Sequence, residues 1–357
     1  MRRSARILAV SLAIVAPWST SLRAQHGGSP PPEPRFTADH SVGLAVGLLP
    51  LGVTSFGAAS AGGFAWVLGG YFGEPHNYLT QHQSRAFYRF PLIAPGDIEI
   101  LPDDDRIQSV GLVPFRGGVA RFGGVSLVDD QTRSGGVCRW FDPAAREWID
   151  LPALPAPRSS HQAVVVGERV FLAGGWALDA DSASAPWCAE MWSLDLAQPA
   201  NGWQVHPQPF QRRALGGAAL GSALVWIGGM DVDGEVSSSV DVFDSATGTW
   251  SRGPDYPGFG FGVAAAAANG RIHASGAEGV VWSWMPGETS WTQVGTLTFP
   301  RFFHQLLPGA DGDLLALGGI NRGMRTRHVE SLPLAPRPAD GASLAMRHWT
   351  VPTPGTA

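Results

Sequence analysis

The sequence contains no lysine: all 25 of its basic side chains are arginine. That absence excludes Schiff-base chemistry, a pyridoxal anchor and the lysine of a phosphate-binding loop. Only 15% of the 357 residues are charged, while Gly and Pro contribute 46 and 29, so long surface helices are not expected. The formal charge of −5 argues against nucleic acid as a partner, because phosphate binding needs a basic field. No apolar run reaches the roughly twenty residues that cross a bilayer. The two cysteines, Cys138 and Cys188, have no metal-ligand spacing around them, and the spacing leaves a disulfide and two free thiols both open.

What is present begins with an export signal. Arg2, Arg3 and Arg6 precede the apolar run Ile7–Ala16, and small residues lead to a cleavage position after Ala24. Residues 1–24 read as a signal peptide of the general secretory type, and 25–40 as a Gly/Pro-rich flexible linker. The expected location is periplasmic or secreted. The leader carries four arginines and no acid, so the remainder is more acidic than the whole.

An apolar strand closing on a Gly doublet recurs six times, at steps of 43 to 54 residues. The doublets are Gly69-Gly70, Gly123-Gly124, Gly174-Gly175, Gly228-Gly229 and Gly318-Gly319, with a degenerate copy at Ser275-Gly276. A preceding strand and tight turn, such as Ala268-Asn269-Gly270-Arg271, make each doublet strand the second arm of a hairpin. A variable loop follows, then a third strand with an aromatic and Asp, as in Trp140-Phe141-Asp142 and Val242-Phe243-Asp244. A fourth strand opens on Trp148, Trp203, Trp250 or Trp291, with Ile98 in that place in the first unit. The alanine run Ala264–Ala268 has helical propensity, but the flanking Gly-rich turns make it a strand.

This pattern resembles the Kelch repeat, over roughly residues 41–352. The resemblance implies an all-β, six-bladed propeller with four antiparallel strands per blade. Small residues in the first strand suit a crowded axis, and the fourth-strand Trp is expected to fill the gap between blades. The fourth strand of the last blade is expected from Arg347–Val351, which holds Trp349; Ser41–Leu49 is the alternative. Residues 353–357 form a tail, and a monomer is expected.

Blade-joining loops and the loops after each doublet share one face in a Kelch propeller, which makes a ligand funnel. Candidate ligand-binding residues there are Arg106, Arg158, Arg212 (with Arg213 beside it) and Arg301, with His161 and His304 three residues beyond two of them. Tyr71, Glu74 and Trp187 join them from the longer loops. The competing reading is structural: an Arg after Pro belongs to the repeat itself and links blades through carbonyl oxygens. A ring of guanidinium groups would instead recognise carboxylates. Asp231–Glu235 has only a fragment of a calcium loop, and Asp103-Asp104-Asp105 reads as a solvated turn. No metal site and no cofactor are expected.

Among enzymes on this fold, galactose-oxidase-like copper chemistry needs a Tyr next to His, and no such pair occurs. Sialic acid mutarotases are exported six-bladed Kelch proteins, and that likeness implies proton transfer by Glu74 or by His161 with Arg158. No catalytic set is recognisable, so the leading expectation is a binding module for an acidic glycan or an extracytoplasmic protein. A cofactor-free sugar mutarotase is the alternative.

Overall fold

The computed structural model describes residues 40–93, 96–103, 105–180 and 184–334, with the backbone of 349–350. The expected leader (1–24), the linker through residue 39 and the tail (353–357) lie outside the described residues, as do Asp104 and Asp181. Among the described residues no α-helix occurs, and no helix is long and apolar enough to cross a membrane.

The chain forms six antiparallel four-stranded sheets in blade order. Blade 1 comprises Gly57–Ala61, Phe64–Leu68, Phe87–Pro91 and Glu99–Ile100; blade 2 comprises Gly111–Phe115, Gly118–Phe122, Cys138–Asp142 and Glu147–Leu151. Blade 3 holds Gln162–Val166, Arg169–Ala173, Glu190–Asp195 and Gln204–Pro207, and blade 4 holds Gly216–Leu220, Ala223–Ile227, Val240–Asp244 and Thr249–Arg252. Blade 5 is Ala264–Ala268, Arg271–Ser275, Val280–Trp284 and Thr292–Thr296. First strands pack side by side from blade to blade, and Gln305–Pro308 of blade 6 packs against Gly57–Ala61 of blade 1, which closes the ring.

Closure differs from the expected route. Blade 6 consists of Gln305–Pro308, Leu314–Leu317 and His328–Leu332, and its outer strand is Leu44–Leu48 from the start of the described chain. Trp349–Thr350 instead runs parallel to Gly96–Asp97 beside blade 1. The N-terminal segment wins because it is fastened to two blades. Ser41–Val42 lies parallel to the last strand of blade 5, and Leu49 N–H donates to Arg327 O (2.7 Å).

The doublets explain why blades pack closely. Both glycines hold φ between +56° and +105° in all five complete copies. The second one donates its N–H to a carbonyl of the next blade, as Gly124 does to Arg158 O (2.9 Å) and Gly175 to Arg212 O (2.8 Å). A Cβ on Gly174 would sit 2.5 Å from Arg212 O, so only glycine allows the approach. Fourth-strand tryptophans join neighbouring blades as expected. The indole N–H of Trp203 donates to Pro152 O (3.0 Å), that of Trp250 to Pro207 O (2.9 Å), and that of Trp291 to Pro254 O (3.0 Å).

Both cysteines are free. Cys138 is buried in blade 2, where burial pushes its thiol up to about 12. Asp103 and Asp105 do more than cap a solvated turn: they face the buried Arg121 guanidinium, Asp105 through a direct hydrogen bond.

Candidate functional site

The chain enters each first strand through one residue in the left-handed region: Ser55, Ser109, Ser160, Ala214, Gly262 and Phe303, at φ between +51° and +69°. Five backbone N–H···O=C bonds of 2.6–3.2 Å link them in order, from Ser109 to Ser55 and onward to Phe303 with Gly262. Five of the six carry a side chain, at a cost of about 1–2 kcal/mol each in this conformation. The belt of bonds holds them there around a central cavity of about 70 Å³.

Two residues ahead of the belt stand Val53, Ile107, Arg158, Arg212, Gly260 and Arg301. The three arginines in this series are fully or nearly fully buried. Arg158 donates to Leu172 O (3.2 Å) and Glu190 O (2.7 Å) and lies over the Trp192 ring at 3.6 Å. Arg212 donates to Gly228 O (2.7 Å) and Ser239 O (3.1 Å) and pairs with Asp241. Arg301 donates to Gly318 O (3.0 Å) and His328 O (2.8 Å) and pairs with Glu330. Each guanidinium therefore clamps the second and third strands of its own blade. None of the three lines the central cavity. Arg106 is one residue out of phase, with Ile107 in the clamp position, and its guanidinium caps Thr80 O (3.2 Å) and Gln83 O (2.7 Å).

His161 and His304 both line the central cavity and are 5% and 2% exposed. Burial, reinforced by the neighbouring Arg158 and Arg301, holds each imidazole down to about 3. A ring that is neutral throughout the physiological range cannot alternate as acid and base there. His161 and Arg158 are thus both withdrawn from solvent, at 5% and 1% exposure.

The loop face carries a different cluster, one residue further along the chain. Arg213 follows the clamp Arg212, pairs through its backbone with Met230, and is half-buried. Its guanidinium lies 4.2 Å from the Trp176 ring, 5.6 Å from Phe261 and 5.7 Å from Trp187. Trp176 and Trp187 contact each other at 5.6 Å. Arg213 Nε and the Trp176 indole nitrogen are both buried donors with no acceptor among the described residues. From blade 6, Arg325 donates to Tyr71 O (3.1 Å) and lies over the Tyr71 ring at 5.6 Å. Neither Arg213 nor Arg325 has a carboxylate within 4.0 Å among the described residues, and burial lowers the proton affinity of both.

The blade 1 loop stands beside these cations. Tyr71, buried, uses its hydroxyl to pin the loop: it donates to Asn77 O and accepts from Leu79 N–H (3.1 Å). Tyr78 contacts Tyr71 at 5.5 Å, and its phenol lies within Coulombic reach of both Arg213 and Arg325. Burial raises that phenol above its usual range despite the two cations. Glu74 is exposed and acts on Arg325 from the same side. Of the expected residues, Tyr71, Glu74 and Trp187 thus belong to this face. Trp176, Arg213, Phe261 and Arg325 complete it. The first three sit beside the repeat positions, directly after a doublet or directly after the clamp residue.

Residues 211–255, which span blade 4, match the Kelch motif. The solved structure of YjhT is similar, with a TM-score of 0.64 and 15% identity over 79% of this chain and 95% of that one. Blade 4 carries a Kelch motif, and the described chain folds as a six-bladed propeller. Its doublets and clamp arginines hold the blades together, and the Arg/aromatic cluster lies on its loop face. The acidic Asp231–Glu235 turn of the propeller closes on itself, with Asp231 Oδ1 accepting from Asp233 N–H (3.1 Å) and Glu235 N–H (2.9 Å). Among the described residues no group of three or more His, Cys, Asp or Glu side chains could hold a metal ion.

Proposed function

We propose that the protein is an exported binding module that takes an acidic glycan on its loop face. The observation that carries this reading is Arg213, a half-buried cation stacked among Trp176, Trp187 and Phe261 with no carboxylate beside it. A guanidinium withdrawn from water is unfavourable without a counter-charge, and its fork geometry fits a carboxylate. The surrounding rings offer flat apolar surface to the faces of sugar rings. Arg325 gives a second cationic contact across the same face. Calorimetric titration with oligogalacturonides and with matched neutral oligosaccharides tests the reading. Binding is expected for the acidic series only, and a tenfold or greater loss in Arg213→Met/Arg325→Met. Equal affinity for the neutral series, or full affinity in the double variant, overturns it.

A sugar mutarotase remains the second reading, supported by one feature: Glu74 is an exposed carboxylate on the same side as Arg325. Here Glu74 transfers the proton while Arg325 holds the substrate carboxylate. Proton NMR of sialic acid anomer exchange tests this, and no acceleration by the protein sinks the idea for that sugar.

A further inference from the structure

We infer that the axial cavity inside the belt is a second binding site, for small neutral hydroxyl-bearing guests: water, or a short polyol that replaces it. His304 is 2% exposed and lines this cavity, yet neither of its ring nitrogens has a hydrogen-bond partner. His161, in blade 3 against blade 6 for His304, repeats the arrangement. The Phe122 carbonyl lies near its ring, but neither nitrogen makes a hydrogen bond of normal geometry. A buried imidazole left dry and unpaired costs free energy on both nitrogens, so the site calls for a guest.

The lining specifies what kind. No carboxylate or guanidinium lines the cavity, so nothing there balances a charged guest. Five of the six belt N–H groups are already used by neighbouring belt carbonyls. What remains are side chains: Ser55, Ser109 and Ser160 on the belt, Gln162 and Gln305 at the start of first strands, and the two imidazoles. Burial keeps both rings neutral, and a neutral imidazole presents one N–H donor and one lone pair. Only a group that both donates and accepts satisfies such a ring on each side. A hydroxyl or a water does this; an anion accepts only, and a metal cation would sit without any counter-charge. This inference rests on the cavity alone and is independent of the loop-face reading.

Two experiments test it. Crystals of the whole protein grown without polyol, and parallel crystals soaked in ethylene glycol, should both show oxygen atoms about 2.7–3.2 Å from a ring nitrogen of His304. Water is expected in the first; diol oxygens in the second mark a polyol site, and unchanged water marks a water site. A cavity free of oxygen density, or rings turned to bond protein groups, overturns the inference. Thermal melting supplies the second test. His304→Leu is expected to lower Tm by a few degrees, because it strands the bound hydroxyls, and His304→Gln to lose less. A rise in Tm for His304→Leu would show that the nitrogens were dry and unpaired, and would overturn the proposal.

Discussion

Replacing Arg301 by Met probes the arginine clamp directly. Arg301 and Glu330 are both fully buried, and the guanidinium also serves Gly318 O at 3.0 Å and His328 O at 2.8 Å. Met fills most of the side-chain volume but leaves Glu330 with only the N–H groups of Thr298 (2.7 Å) and Phe299 (3.2 Å). Removing one member of a buried ion pair costs about 3–5 kcal/mol, a large part of the roughly 5–15 kcal/mol that holds a domain folded. At about 2–4 °C per kcal/mol, Tm should fall by roughly 10 °C. Glu330→Gln added to Arg301→Met removes the orphaned charge but leaves one acceptor oxygen for the two N–H groups, so the double variant should recover only part of the loss. Arg158→Met, whose clamp lacks a carboxylate, should cost less than Arg301→Met. Urea melts followed by tryptophan fluorescence give all four values. A loss below about 1 kcal/mol for Arg301→Met, within the range of an ordinary exposed pair, would refute the clamp.

Three further outcomes follow from the geometry. The unfolded chain protonates His161 and His304 near pH 6.5 whereas the folded chain does so near 3. The unfolded state therefore binds more protons in that window, and stability falls as pH drops through it by about 1.4 kcal/mol per unit for each ring; His161→Gln/His304→Gln should flatten the slope in urea melts, and parallel profiles would contradict this. Gly174→Ala places a Cβ 2.5 Å from Arg212 O at φ +69° and should cost several kcal/mol, whereas Gly167→Ala, with nothing within 4 Å, pays only for its φ of +60°; comparable melts for the two would remove the steric account of the doublets. Two thiols should titrate with Ellman's reagent in denaturant and Cys138 should be protected in the native protein; no thiol in denaturant would mean a disulfide.

The repeat was legible because its signals are local and each has one physical cause. A doublet needs φ > 0 twice beside a foreign carbonyl, and Asn269-Gly270 admits only a tight turn. The closing strand was misassigned for the opposite reason. Trp349 carries the repeat's own mark, while Leu44–Leu48 is chosen by pairings with residues nearly three hundred positions away. The arginines show how one residue of phase separates scaffold from site: Arg212 points into its blade and Arg213 onto the loop face. Periodicity locates both but does not say which way either turns. Arg325 lies outside the repeat signature, and only the closed ring brings it beside Tyr71.

The fastening of blade 6 also imposes an order of events on folding. Leu44–Leu48 leaves the ribosome before any blade exists, yet its partner His328–Leu332 is among the last described strands to emerge. Blades 1 to 5 can each pair their own strands from neighbouring sequence, so they form by short-range steps. The ring itself closes through a contact of very high sequence separation, a step that is slow and leaves strand edges unpaired until it happens. Until then Leu44 and Leu48 are an open invitation to a neighbouring chain. The vulnerable species in this protein is therefore the nearly finished one, five blades assembled and the first strand still waiting.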